Sequence, residues 1–265
     1  MTTIVHNVLK AFIVVAGGAV LAANLHAQGR GAAPGAGATP PPTGKAGAPY
    51  DLTGYWVALV TDDWRYRMIT PPKGNVDYIP VTPEAIRMTD TWDPDRDEKT
   101  GDACRGYGAG GIMRLPTRLH VTWDGDDVLK METDTGTQTR RLQFGTPPAP
   151  TSKPTFQGHS VARWEYPPAR RGGAPSGAQG GRGQMKVTTT RMRPGYLRKN
   201  GVPYSADAVL TEYFVRLVDR TGQEYLVVTT MLDDPQYLSQ PYVKSYEFKK
   251  EADASGWNPT PCVAK

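Results

Sequence analysis

Only two cysteines and four histidines occur in 265 residues. Two of the histidines, His6 and His26, fall in the first twenty-seven positions, leaving His120 and His159. A structural or catalytic zinc site draws three or four His, Cys or acidic ligands together at close spacing. Nothing here has that pattern, so no metal is expected. No glycine-rich phosphate loop is present, and no cofactor is expected either. The serine elbow Gly-x-Ser-x-Gly is also missing; the nearest run is Gly158-His159-Ser160-Val161-Ala162. His159 and Ser160 are neighbours on an extended segment and point to opposite faces, so the histidine cannot readily serve as base for that hydroxyl. The one long apolar run, Ala11 to Leu25, is too short and too soon interrupted for a membrane span.

That run has a different meaning. Lys10 precedes it and Leu25-His26-Ala27 ends it before Gln28. A charged start, a short apolar stretch and a small residue at the cut are the layout of a secretory signal peptide over residues 1–27. No cysteine follows the cut, which argues against a lipid anchor. The mature chain is therefore expected to be secreted or periplasmic, with no integral membrane span. Export also favours a disulfide between Cys104 and Cys262, tying a mid-chain loop to the C-terminus. The alternative, free thiols or metal ligands, would need partners the sequence does not place nearby. The formal charge of +5 is mild and bears on solubility; no nucleic-acid partner is expected outside the cytoplasm.

Residues 28–49 are almost wholly Gly, Ala, Pro and Thr and read as a disordered linker. Residues 50–265 then form one domain of a size ordinary for a β-barrel or sandwich. Thr82 followed by Pro83, Ile86 and Met88 predicts one short helix near 83–91. Asp93 to Gly111 reads as loop. Strands are expected at Tyr55–Val60, Leu119–Trp123, Val128–Thr133, Thr137–Phe144, Gly158–Tyr166, Met185–Met192, Ala208–Val218, Glu224–Leu232 and Val243–Lys249. Turn clusters such as Asp124-Gly125-Asp126-Asp127 and Asp219-Arg220-Thr221-Gly222 separate them. About eight or nine strands joined mostly by tight turns predict an all-β antiparallel meander. A lipocalin-like barrel removes the exposed edges; a β-sandwich is the alternative. Residues 167–184, rich in Gly, Pro, Ala and Arg, read as a flexible basic insert.

Four places carry candidate chemistry. Between Glu165 and Asp207 there is no acidic residue, while Arg191, Arg193, Arg198 and Lys199 stand among others of their sign. This is either a cationic mouth for an anionic ligand or a solvated face paired with acids elsewhere. Asp62-Asp63-Trp64-Arg65-Tyr66-Arg67-Met68 interleaves carboxylates, guanidinium groups and aromatics, as pocket walls do; the plainer reading is a surface ion pair. Alternation puts Leu210, Glu212 and Phe214 on one strand face. Glu212 is then a buried acid with a raised pKa, or, as is commoner, the partner of an arginine inside the barrel. His159-Ser160 is the fourth, set aside above.

Several motifs together resemble a broad family of secreted bacterial proteins without an assigned activity. Asp51-Leu52-Thr53-Gly54-Tyr55-Trp56 is similar to that family's Leu-Ser/Thr-Gly-x-Trp opening. Gly158-His159-Ser160-Val161-Ala162-Arg163-Trp164-Glu165 resembles its Gly-x-Ser-x-x-x-Trp-Glu strand, and Lys186-Val187-Thr188-Thr189-Thr190 the strand after it. Asp233-Asp234-Pro235-Gln236-Tyr237, with Gln240-Pro241 and the late Cys262, resembles its Asp-Pro-x-x-Tyr-x-x-Pro close and terminal Cys. The basic insert departs from the pattern. The resemblance implies an exported, lipocalin-like β domain and carries over no catalytic residues.

The leading expectation is a non-enzymatic binding module for a small amphipathic or anionic ligand. Trp56, Trp64 and Tyr66 would wall the site, and Arg65, Arg67, Arg191 and Arg193 would hold a polar end. One alternative is a cofactor-independent isomerase, hydratase or cyclase working from Glu212 or Asp63 in a barrel cavity. Another is a structural envelope protein contacting an anionic polymer.

Overall fold

The computed structural model describes residues 43–167 and 182–265; the signal-peptide expectation and most of the basic insert lie outside these. Among the described residues the chain forms eleven strands. They are β1 Gly54–Leu59, β2 Arg118–Trp123, β3 Val128–Thr133, β4 Gln138–Phe144, β5 His159–Glu165, β6 Gln184–Thr190, β7 Gly195–Arg198, β8 Val202–Tyr204, β9 Val209–Val218, β10 Glu224–Asp233 and β11 Tyr242–Glu251. Nine close a barrel in the order β1-β11-β10-β9-β6-β5-β4-β3-β2, and β7 pairs only with β8. Closure leaves the barrel itself without an edge strand, and it decides between barrel and sandwich.

The meander holds except at two places. β4 and β5 run parallel, with Leu142 opposite Ser160. A parallel pair needs a return crossover, and the Pro-rich segment between Phe144 and His159 supplies it, running back along the outside of the barrel. β6 then pairs with β9, because the β7–β8 hairpin leaves the barrel wall.

Strand alternation fills the interior. Leu129 and Met131 on β3, Met185 and Val187 on β6, and Leu226 and Val228 on β10 point inward beside Trp56, Leu119, Leu142, Phe214 and Phe248. At about 25 cal/mol per Å2 of apolar surface buried, this packing is the dominant stabilising contribution. A second core of Ile79, Leu197, Val202, Tyr204, Leu210, Leu232, Leu238 and Tyr242 lies under a cap built from residues 60–117 and the β7–β8 hairpin.

The cap holds more helix than the sequence suggested. α1 is Trp64–Arg67, α2 Pro83–Asp90, α3 Pro94–Lys99 and α4 Ala109–Ile112, with a 3-10 turn at Ala103–Tyr107. α2 is capped as expected, Ala85 N donating to Thr82 Oγ1 at 3.3 Å. α3 replaces part of the expected 93–111 loop. It uses the same device, a capping side chain followed by proline: Arg96 N donates to Asp93 Oδ1 at 3.0 Å. Its sequence, Pro-Asp-Arg-Asp-Glu-Lys, has no apolar stripe to betray it.

The folded domain begins earlier than Tyr50. Trp164 Nε1 donates to Gly44 O at 2.7 Å, and Lys45 N to Asp126 O at 2.7 Å. Gly44 has φ +53, and a Cβ there would come within 2.1 Å of Asp126 O. The small residues that suggested a linker are what let this segment lie flat on the barrel, so 43–49 belong to the domain.

Cys104 and Cys262, 158 positions apart in sequence, form a disulfide with Cα atoms 5.1 Å apart. It fastens the C-terminal tail to the 3-10 turn. Closing so long a loop is worth about 5 kcal/mol by the chain-entropy relation. Cys104→Ser with Cys262→Ser is therefore expected to lower urea stability by up to that amount, and reductant is expected to leave the double variant unchanged.

At the β9–β10 hairpin, Glu224 accepts from Arg216 Nε at 2.6 Å and from Lys250 Nζ at 3.2 Å. The Arg216 hydrogen bond, reinforced by Lys250 and outweighing partial burial, holds the Glu224 carboxyl below its ordinary 4.5. A depressed carboxylate contributes stability above its unfolded pKa and loses it as pH falls through the folded one. Thermal melts are expected to show wild type above Glu224→Gln at pH 6, with the gap closing below about pH 4.5.

Candidate functional site

The candidate acid Glu212 sits where alternation put it, inside the barrel and fully buried. It is paired with Arg140 of β4, which is 1 % exposed. Arg140 Nη1 donates to Glu212 Oε1 at 2.9 Å. Nη2 reaches the other carboxylate oxygen and Thr189 Oγ1, the latter at 3.3 Å; Thr189 in turn meets Ser160 Oγ at 2.8 Å. This is a paired network within a filled interior, with Leu142, Val187 and Phe214 around it; only Arg140 Nε is left without a partner among the described residues. The interior is core, and access to solvent lies at the barrel ends and walls.

The capped end gathers the charge. β1 exits at Leu59 and the chain turns through Asp62 and Asp63, which has φ +49, a backbone region that costs most side chains strain and that Asp tolerates better than most. Asp63 Oδ2 lies 2.5 Å from Lys244 Nζ on β11. Burial works against the Lys244 ammonium, but Asp63 and its neighbours raise its pKa above the ordinary value. α1 follows at once and aims Arg67 inward. Arg67 Nε donates to Arg114 O at 2.9 Å, and Nη1 to Leu59 O at 3.3 Å and Asp62 Oδ1 at 3.2 Å. Its guanidinium lies 5.3 Å from the Tyr246 ring, and Nη2 is buried with no partner among the described residues.

Arg198, at the end of β7, closes the other side. Nη1 donates to Asn75 Oδ1 at 2.8 Å and Nη2 to Asp77 O at 2.5 Å, and the group stacks 4.7 Å above Tyr66. Burial first, and then the Arg114 charge, lower the Arg198 pKa. Tyr66 OH donates to Asp77 Oδ2 at 3.2 Å.

Arg114 is the outlier. It follows α4, is 5 % exposed, and its guanidinium makes no hydrogen bond or ion pair among the described residues. Its charge acts on Arg198, Tyr242 and Tyr246. Burial raises the pKa of both tyrosines, with Arg114 pulling the other way, so both phenols keep their protons. Asp62 is taken by Arg67, Asp63 by Lys244, and Asp77 by Tyr66 and Asn75. Among the described residues neither Arg114 nor Arg198 forms an ion pair with a carboxylate. A buried unpaired cation is costly.

Beside this charge the same segment leaves apolar surface uncovered. Trp64, Met68, Ile69 and Tyr78 are each more than half exposed, and the Tyr66 and Tyr78 rings meet edge-on at 5.8 Å. Isolated exposed apolar side chains need no explanation, but here four fall within residues 64–78, the segment that also carries Arg67 and the Tyr66 ring beneath Arg198.

The residues expected to share one site are divided by the fold. Trp64, Arg65, Tyr66 and Arg67 stand together on α1, Arg65 exposed and 5.5 Å from the Trp64 ring. Trp56 is fully buried in the barrel core, its Nε1 donating to Leu52 O at 3.0 Å, so it walls no opening. Arg193 pairs with Asp102 at 2.6 Å and lies over Phe156, and Arg191 donates to Ser152 O at 3.2 Å. Arg191 lies on the barrel flank and Arg193 reaches the cap at Asp102, and no contact among the described residues joins either to α1. Arg114, Tyr242 and Tyr246 were missed. Arg114 carried a signal: it is a lone cation inside Ile112-Met113-Arg114-Leu115, a run that reads as core.

Comparison with known proteins identifies no relative: no family model, no curated protein and no solved structure matches the chain.

Proposed function

We propose that the protein is an exported binding module for an amphipathic anion, held at the capped end of the barrel. The observation that carries this reading is Arg114, a 5 % exposed side chain whose guanidinium has no hydrogen-bond or ion-pair partner among the described residues. A carboxylate or phosphate between Arg114, Arg67 and Arg198 supplies the missing counter-charge through charge-assisted hydrogen bonds. The apolar part of the ligand lies along Trp64, Met68, Ile69 and Tyr78. Packing of the interior supports a ligand seated on the barrel mouth. The apolar leader at Ala11 to Leu25 and the Cys104–Cys262 disulfide support export. Among the described residues no helix is long and apolar enough to cross a membrane.

Trp fluorescence of the full chain tests the reading. Dodecanoate and dodecyl phosphate are expected to give a saturable change that Trp64→Phe removes. Acetate, which has the head alone, and dodecanol, which has the tail alone, are expected to bind at least tenfold more weakly. Equal binding of dodecanol and dodecanoate, or no saturable change with either anion, overturns it.

A further inference from the structure

The parallel pairing of β4 and β5 has a consequence on the outside of the barrel. The crossover cannot turn tightly; it travels back over the wall and roofs the outward side chains of β4, Thr139, Arg141 and Gln143. Between roof and wall is a recess of about 230 Å3, bounded also by Lys153, His159 and Arg191. No acidic residue lines it. Arg141 is neutralised from outside by Asp124 at 2.6 Å. Arg191 is held at φ +53, a backbone region disfavoured for a long side chain, and its Nη2 donates to Ser152 O on the roof. Lys153 and the His159 ring form no hydrogen bond or ion pair among the described residues. The lining thus offers two standing positive charges beyond the one Asp124 cancels, with hydroxyl and amide groups around them.

The geometry points to a second, independent site here, for an anionic sugar unit: one ring carrying an oxyanion group, alone or as part of a polysaccharide. Charge sign selects the oxyanion. The surrounding Thr139 hydroxyl and Gln143 amide suit a hydroxylated ring, because each both donates and accepts. Size agrees, since the recess is smaller than the roughly 300–1,000 Å3 of pockets that enclose drug-sized apolar ligands. It is partly open to solvent, which lets a chain continue beyond one ring. The amphipathic site at α1 lacks this lining, and the two share no residue.

Calorimetric titration of the full chain with trigalacturonate, glucose 6-phosphate, maltotriose and inorganic phosphate tests it. Both anionic sugars are expected to bind, weakening steeply with added salt, while maltotriose does not. Lys153→Gln and Arg191→Gln, both exposed on the surface, are each expected to weaken trigalacturonate binding at least fivefold and to leave the dodecanoate titration unchanged. Binding of maltotriose as tight as trigalacturonate, inorganic phosphate binding as tightly as either anionic sugar, or unaltered affinity in both variants overturns the proposal. Loss of dodecanoate binding with trigalacturonate binding retained would instead fall on the α1 site alone.

Discussion

Arg114→Met is expected to make the protein more stable and less able to bind. Native side chains seldom behave this way when removed from a core, and the reason here is the lack of a partner. The side chain has given up most of its water without gaining a carboxylate among the described residues, and its charge opposes that of Arg198. Methionine has a similar reach and no charge to desolvate. Replacing buried ionic groups with packed apolar ones is commonly neutral or stabilising by about 1–4 kcal/mol. A gain of about 1 kcal/mol corresponds to roughly 2–4 °C in Tm for a domain of this size. The same change removes charge-assisted bonds worth about 1.5–3 kcal/mol to a bound anion, a loss of about 10- to 150-fold in affinity for dodecanoate. Differential scanning calorimetry and the fluorescence titration read the two effects on one sample. A destabilised Arg114→Met would mean that the guanidinium is part of the framework.

The opposite behaviour is expected at Arg140 and Glu212, also buried but paired. Glu212→Gln or Arg140→Met leaves one charge uncompensated inside the barrel, which costs about 3–5 kcal/mol. That is roughly 6–20 °C in Tm at this size. Removing both charges, as Arg140→Met with Glu212→Leu, is expected to restore stability to within about 2 kcal/mol of wild type. The non-additivity is the signature of a coupled pair, and urea denaturation of the four proteins measures it. Dodecanoate affinity is expected to stay within twofold throughout, since the pair lies below the cap and reaches no ligand. A Glu212→Gln protein of unchanged stability would contradict the pairing.

These two arginines also mark what the sequence made legible. Alternation placed the nine barrel strands within a residue or two, because each half-buried strand shows its face every second position. The same rule put Glu212 with Leu210 and Phe214. Applied to Arg140-Arg141-Leu142-Gln143-Phe144, it would have put Arg140 inside as well. What it could not provide was the pairing, since β4 and β9 are not neighbours in the barrel and the contact spans 72 positions. The β7–β8 hairpin escaped for a different reason. All its residues are buried, on both faces, so Gly195–Arg198 and Val202–Tyr204 show no alternation. The parallel β4–β5 pair was hidden because a proline-rich segment looks the same whether it turns or crosses. At the candidate site, the local cluster around α1 was visible as Asp, Trp, Arg and Tyr in succession. Arg114, Arg198 and Tyr242 join it only through the cap's tertiary packing.

The central claim is that anions are taken at the capped mouth while the barrel interior stays closed. Arginine Nε–H resonances of the full chain, followed by NMR during titration with dodecanoate, test it most directly. Shifts at Arg67, Arg114 and Arg198, with Arg140 and the Trp56 indole unmoved, are the expected result. Shifts at Arg140 and Trp56, with Arg114 silent, would place the ligand inside the barrel and contradict the account.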